Sequence, residues 1–274
     1  MAATTDDTGM KQVGTTDPSK VSLVQITDCH IMADADDRLK GMNTRRSFEA
    51  VLQAVRADNT GLDLILATGD LSQDASPESY RYLATNFAET GLPVFWIPGN
   101  HDDDAIMHAH LRADCIFDAR QILVGNWHIV LLDSTVAGEV GGCVSEQLLG
   151  FLDEALSSCP GRHTLVCLHH QALAAGSEWI DRKGLQHSED LVSTLKTQPD
   201  VRGVVWGHVH QQAHQCVDGI EWMSTPSSCI QFKPGSREFA IDDLAPGYRR
   251  IDLHADGRIE TGVQRVGKAS DFLD

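Results

Sequence analysis

Five polar clusters carry the residues able to do chemistry, and each sits directly behind an apolar run. Asp28-Cys29-His30 follows VSLVQIT, Gly69-Asp70 follows LDLILAT, and Gly99-Asn100-His101-Asp102 follows PVFWIP. His169-His170 closes the run HTLVCL, and Gly207-His208-Val209-His210 closes VRGVVW. Carboxylate, imidazole and amide oxygen without a recurring thiolate suit Mn, Fe, Zn, Co or Mg better than Cu(I) or a structural zinc knot. Asp28, His30, Asp70, Asn100, His169, His208 and His210 are too many ligands for one ion, whereas a carboxylate can bridge two. Two divalent ions set against two aspartates leave roughly two positive charges, which a bridging hydroxide and a phosphodiester monoanion would neutralise. Paired ions of this kind activate water and clamp the oxygens of an in-line displacement at phosphorus.

Any one of these clusters alone reads as the hydrogen-bonded end of a strand. Two further pairs copy the spacing, Asp252/His254 and His108/His110, and both are expected to be structural. His108 and His110 fall on a helical pattern, where i and i+2 do not share a face. On a strand they do, so Asp28 with His30 and His208 with His210 are each expected to reach into one cavity. The five clusters in order, with glycines beside them, point to a site at the C-terminal ends of strands, the edge where α/β sheets build theirs.

Elements that could position them alternate regularly from Val21 onward. Strands are expected at VSLVQIT, LDLILAT, PVFWIP, HTLVCL and VRGVVW, with a hairpin at RQILVG-NW-HIVLLDS. Further strands are expected at residues 212–217, 220–224, 248–253 and 259–266. Phe48, Val51, Leu52 and Val55 share one face of a helix, and Ser76-Pro77 opens another with buried Tyr80, Leu83 and Phe87. Helices are also expected at DAIMHAHLR, with Asp103 and Asp104 at its start, at SEQLLGFLDEALSSC, and near residues 190–197. Continuous apolar strands imply sheets covered on both faces, and the mixture of hairpins and crossovers implies two packed sheets with helices outside.

The 274 residues include 22 Lys and Arg against 39 Asp and Glu, a formal charge of −17. That excess repels polyanions and argues against duplex nucleic acid and anionic lipid as partners. An anionic substrate therefore needs local positive charge. The seven cysteines are scattered without a Cys-x-x-Cys pair and read as reduced thiols of a cytoplasmic protein. Residues 1–20 are polar and acidic and are expected to form a flexible tail before a single domain over 21–274. No apolar run approaches a membrane span.

Asp-x-His, Gly-Asp, Gly-Asn-His-Asp, His and Gly-His-x-His, in this order from about Val21 to Val266, resemble the calcineurin-like metallophosphoesterases. The resemblance implies an α/β fold, an αββα sandwich of two mixed β-sheets flanked by helices. It implies one metal on Asp28, His30, Asp70 and His210 and a second on Asp70, Asn100, His169 and His208, with Asp70 bridging. His101 is then no ligand but the proton donor to the leaving oxygen, and His30, Asp70, Asn100, His101 and His210 contact the substrate. Imidazole suits proton donation because it titrates near neutrality. Asp102 has two open roles, orienting His101 or pinning the turn.

GDLSQD and GNHD lack the arginine that phosphoprotein phosphatases carry in Gly-Asp-x-x-x-Arg-Gly. GMNTRRSFEAVL, STPSSCIQFKP and LAPGYRRIDLHADGRI are similar to bacterial class III 3′,5′-cyclic-AMP phosphodiesterases. The resemblance thus implies hydrolysis of 3′,5′-cyclic AMP to 5′-AMP by a monomer or homodimer with two divalent ions. Fe and Mn come foremost, and Zn, Co or Mg are compatible. Two rivals stay open: a broader phosphodiesterase acting on 2′,3′-cyclic nucleotides or glycerophosphodiesters, and a non-catalytic nucleotide sensor. Asn43-Thr44 is either a helix start or a substrate contact, and STPSSCIQFKP is expected to flank a base pocket.

Overall fold

The computed structural model describes residues 4–5, 10–58 and 61–273. Its first half contains β1 (Lys11–Val13), β2 (Lys20–Ile26), α1 (Thr44–Ala57), β3 (Leu64–Thr68), α2 (Pro77–Ala88), β4 (Val94–Ile97) and α3 (Asp104–His110). The hairpin β5 (Gln121–Val124) and β6 (Trp127–Leu132) follows, then α4 (Glu146–Ser158), β7 (His163–Leu168), α5 (Ser188–Lys196) and β8 (Val201–Trp206). Strands β9 (Ala213–Val217), β10 (Ile220–Ser224), β11 (Gly247–His254) and β12 (Ile259–Arg265) complete the chain.

Strand periodicity explains why four layers form. In β2 and β3, Leu23, Leu64 and Leu66 point one way while Val24, Ile26, Ile65 and Ala67 point the other. The second set packs under Phe48, Val51, Leu52 and Val55 of α1 and Tyr80, Leu83 and Phe87 of α2, the faces expected from helical spacing. The first set meets Ile129, Leu131, Leu165, Cys167 and Val205 of the other sheet, so one core cluster joins the two sheets. On that sheet's far side, Val130, Leu132, Val166, Leu168 and Val204 bury against Leu148 and Leu152 of α4 and Leu191 and Leu195 of α5. The result is the αββα sandwich. Burying each such side chain contributes about 1.5–3 kcal/mol, so the central layer is the least tolerant of truncation.

Within the first sheet the order is β12-β11-β2-β3-β4, extended by Ile116–Phe117, with β2, β3 and β4 parallel. Within the second, β6, β7, β8 and β10 are parallel, while β5 and β9 flank them antiparallel. The C-terminal ends of β2, β3, β4, β7 and β8 therefore open toward the five polar clusters.

Caps settle several local expectations. Asn43 accepts the amide of Arg46 at the N-cap of α1, so it starts a helix. Ser76 caps α2 with Pro77 behind it, and Asp103 caps α3 by accepting from Ile106. The expected tail is corrected. Lys11–Val13 pairs in parallel with β5, and Met10 and Val13 are buried, so order begins well before residue 20. Lys11–Val13 also pairs antiparallel with Thr4–Thr5, and a strand of three residues is too short to reveal its period in a polar sequence. Residues 1–3 and 6–9 of that stretch lie outside the described residues. Two-residue pairs at Gly142–Cys143 with Leu185–Gln186, and Gln231–Phe232 with Ile241–Asp242, escaped notice for the same reason.

Candidate metal centre

The site-bearing residues lie just past their strands, not on them. Asp28, His30, Asp70, His208 and His210 all adopt left-handed backbone, with φ of 53, 48, 48, 64 and 47°. Strand parity is therefore not what aligns Asp28 with His30 or His208 with His210, and that expectation is corrected. The turned backbones fold each pair back over the sheet ends, where Asp28 and His30 donate their amides to the carbonyls of Gly69 and Asp70. Such conformations cost about 1–3 kcal/mol each outside glycine, and they persist where surrounding contacts over-determine them. The loops also pack too closely for a side chain at two glycines. A Cβ on Gly99 would collide with the amide and Oδ1 of Asp70, and one on Gly207 would come within 2.6 Å of Asp28 Oδ2.

Four buried imidazoles point lone pairs into one basin because each spends its other nitrogen on an acceptor. His169 donates Nδ1–H to Thr68 O at 2.9 Å, His210 donates Nδ1–H to Ile230 O at 2.8 Å, and His208 donates Nε2–H to Lys183 O at 3.1 Å. His30 Nδ1 faces Gln73 Oε1 at 2.8 Å. Carbonyl oxygens only accept, so the tautomers are fixed and the opposite nitrogens are bare. This is how metal-ligating histidines are ordinarily oriented. The bare His30 Nε2 and His210 Nε2 stand 3.2 Å apart, a contact two lone pairs make only around a shared cation or proton.

Two buried carboxylates sit among these nitrogens. Asp28 Oδ1 is 3.2 Å from His210 Nε2, and both its oxygens accept the His208 amide at 3.1 Å. Asp70 reaches both halves, with Oδ2 3.7 Å from His30 Nε2 and Oδ1 3.5 Å from His169 Nε2. Burial would raise the Asp70 carboxyl, but His169 and then His30 outweigh it and hold it well below the ordinary range. At Asp28, burial is likewise outweighed by His210. Burial pushes His30 down to about 4, against Asp70, and takes His208 well below its ordinary value. His169 goes the other way, to about 9, because Asp70 overcomes its burial. The carboxylates thus demand positive charge at His169 Nε2, and a divalent ion meets the same demand by displacing the proton.

Buried polar atoms without a protein partner complete the fit. Asn100 Oδ1 and His169 Nε2 are enclosed and have no hydrogen bond, although buried polar groups are nearly always paired. An oxygen and nitrogen donor set with orphaned lone pairs suits divalent cations. Cys229 lies within ligand reach of His30 and His210, but burial pushes its thiol up to about 12, which withholds the thiolate.

His101 stands half-exposed at the rim, edge-on to His30 with ring centroids 5.0 Å apart, and its amide donates to Asp70 Oδ1 at 2.8 Å. Asp102 does not touch it. Its carboxylate accepts from the amides of Leu71, Ser72 and Gly99 and from the Tyr80 hydroxyl, so it pins the β3 and β4 loops together. Burial, then the Asp70 charge, raises that carboxyl to about 6. His170, adjacent to His169, uses both ring nitrogens on Ser134 Oγ and Val140 O, leaving none for a ligand. The decoys lie apart from the basin: His108 contacts Asp104 and Asp118, Asp252 pairs with Lys20, and His254 with Glu260.

Several supporting groups were missed from sequence. Gln73 bridges His30 and His101, the signal being an amide three residues after Asp70 in GDLSQD. Within STPSSCIQFKP, the Ile230 carbonyl orients His210, and Phe232 stacks flat on its ring at 3.9 Å and 6°. The described contacts of that segment thus buttress the basin.

Known proteins resemble this chain in sequence and in fold. The profile of a family described as calcineurin-like phosphoesterase matches residues 21–212. The chain is 41% identical over 249 residues to the 3′,5′-cyclic adenosine monophosphate phosphodiesterase CpdA of Escherichia coli K12, covering 90% of each. It is 42% identical over 249 residues to the protein of the same name in Pseudomonas aeruginosa, covering 90% of this chain and 91% of that one. Among solved structures, a dimetal phosphatase from Danio rerio superposes with a TM-score of 0.61 at 15% identity, over 91% of this chain and all of that one (100%). A purple acid phosphatase from yellow lupin gives 0.63 at 13% identity, over 93% of this chain and 52% of the other.

Proposed function

The chain belongs to the calcineurin-like phosphoesterases, and from that premise we propose that it hydrolyses 3′,5′-cyclic AMP to 5′-AMP. The family works with a dinuclear metal centre, which makes the enzyme a metal-dependent phosphoric diester hydrolase. The observation that carries the reading is the convergence of bare imidazole nitrogens, two buried carboxylates and the orphaned Asn100 Oδ1 around the same loops. The choice of substrate rests on relatives more than 40% identical over nine-tenths of the chain.

We assign Asp28, His30, Asp70 and His210 to one ion and Asp70, Asn100, His169 and His208 to the other, within a single domain. Fe or Mn is the proposed pair. When bound, the ions polarise phosphoryl oxygens and supply a nucleophilic water at neutral pH. Asp70, held by the His101 amide, fixes the spacing of the two halves. The fixed tautomers keep each nitrogen lone pair aimed inward without reorganisation during turnover. Water adds to phosphorus opposite the 3′ oxygen, the P–O3′ bond breaks, and His101 is the donor to the departing oxygen. His30, Asp70, Asn100, His101 and His210 line the path of the phosphate.

The cysteines are all free, which fits a reducing compartment, and we place the enzyme in the cytoplasm. Among the described residues no helix is long and apolar enough to cross a membrane.

Product analysis on cyclic AMP, with Mn or Fe added and with a chelator, tests the proposal. The expected outcome is 5′-AMP that chelation abolishes. Faster turnover of 2′,3′-cyclic nucleotides or glycerophosphodiesters would favour the broader phosphodiesterase. Tight cyclic AMP binding without turnover in the metal-loaded protein would make it a sensor.

A further inference from the structure

The side-chain amide of Gln73 spans two histidines with different duties. Its Oε1 lies 2.8 Å from His30 Nδ1, and its Nε2 lies 3.2 Å from His101 Nδ1. An amide accepts at one end and donates at the other, so the two rings it touches must carry their protons on opposite nitrogens. His30 gives Nδ1–H to Oε1 and keeps Nε2 bare, facing Asp70 and His210. His101 receives an N–H at Nδ1, so its own proton sits on Nε2. Turning the amide over would reverse both rings and put a proton on His30 where a ligand lone pair is needed. The basin therefore selects one orientation of Gln73, and Gln73 transmits it to His101. Asp102 cannot compete for this role, since its oxygens are committed to three amides and the Tyr80 hydroxyl.

We propose that Gln73 is a positioning residue that presents His101 to substrate with Nδ1 accepting from the Gln73 amide and its N–H on Nε2. The proposal rests on the reading of His101 as donor to the 3′ oxygen and says which kind of donor it is. A ring that already accepts at Nδ1 acts by hydrogen bonding to the negative charge growing on O3′, as preorganised donors do. The P–O3′ bond then breaks with that charge stabilised, the proton completing the 3′ hydroxyl comes from solvent, and the attacking water returns one proton to solvent. The sequence-based expectation of full proton transfer from His101 is sharpened to hydrogen-bond donation.

Three measurements test this, all at saturating metal. In the magnesium-loaded protein, imidazole 15N–1H correlation spectra, assigned with His101→Ala, should show His101 bearing hydrogen on Nε2 only. Gln73→Glu, which offers acceptors to both rings, should leave metal affinity near the parent value and move the His101 hydrogen to Nδ1. Gln73→Met should lower kcat on cyclic AMP by about tenfold or more with KM within about twofold, the usual scale for such supporting groups. It should change turnover of bis(p-nitrophenyl) phosphate by less than about threefold, because that leaving group needs little help. Adding Gln73→Met to His101→Ala should cost nothing further. A parent His101 carrying hydrogen on Nδ1, a Gln73→Met enzyme with undiminished kcat on cyclic AMP, or a further loss in the double variant would each overturn the proposal. If His101→Ala itself turned over cyclic AMP at the parent rate, the donor assignment would fall instead.

Discussion

A buried polar network between the sheets and the polar basin at their strand ends are built on opposite principles. One surrounds Arg249 on β11, which is only 2% exposed. Its Nε donates to Thr225 Oγ1, Nη1 to Thr261 Oγ1, and Nη2 to the carbonyls of Ala213 and Ser224 at 3.0 and 2.7 Å. The chain continues from Thr225 to Gln25 Oε1, and from Gln25 Nε2 to Thr68 Oγ1. Burial lowers the guanidinium to about 10, still protonated at neutral pH, and no carboxylate of the described residues lies in ion-pair range. The other network is the basin, reached through the same Thr68, whose carbonyl holds His169. There Asn100 Oδ1 and His169 Nε2 are oriented but have no protein partner. The first network is closed by protein and ties the two sheets together. The second gathers oxygen and nitrogen donors of the kind that hold divalent cations.

That contrast predicts opposite consequences of substitution, the largest first. Asp70→Asn removes the charge both ion sites share and should lower kcat/KM on cyclic AMP by more than about 10³-fold, with loss of bound metal measured by elemental analysis. An Asp70→Asn protein holding two metals at full activity would end its assignment as the shared ligand. Arg249→Met should do the reverse. It leaves the buried Ser224 carbonyl without that donor and should cost about 1–3 kcal/mol in urea unfolding, the scale for an unsatisfied buried polar group. The kcat of the folded fraction should stay near the parent value. An Arg249→Met protein that folds normally but loses catalysis would erase the distinction between the networks.

The two networks were also unequally legible in the sequence. The basin was visible because metal chemistry restricts residue types, and apolar runs mark where strands stop. Each assigned ligand therefore sat at a position that could be named. What aligned them was not visible, since left-handed backbone at Asp28 or His208 has no signature in residue type. Nor had the acceptors that fix the imidazoles, because the carbonyls of Thr68, Lys183 and Ile230 belong to every residue alike. Asp102 was legible as a polar group but not as a clamp, since its partners are backbone amides and the hydroxyl of Tyr80 on α2. Arg249 was half-legible. Strand period places it on one face with Ile251 and Leu253, both fully buried, yet nothing in YRRIDL says that a cation there would find enough oxygens.

His128 sharpens the comparison, because it shares one feature with the basin and lacks the rest. It is fully buried on β6, its Nε2 meets Gln121 Oε1 at 3.1 Å, and its Nδ1 has no partner. An orphaned lone pair alone is not a site, since no carboxylate converges on this one. Without that compensation, burial, and then the charge of Arg162, lower the ring to about 4. The sign follows directly. The unfolded chain binds the proton near pH 6.5 and the folded one near 4, so stability is full above 6.5 and is lost as pH falls through that window. From pH 8 to pH 5 the loss should be about 2 kcal/mol. Other buried histidines titrate too, so the measurement is a difference. Urea unfolding of His128→Leu and of the parent should draw closer by that amount between pH 8 and pH 5, with His128→Leu losing less. A constant difference across the range would mean that His128 takes up its proton at the same pH in the folded and unfolded protein, and that burial does not depress it.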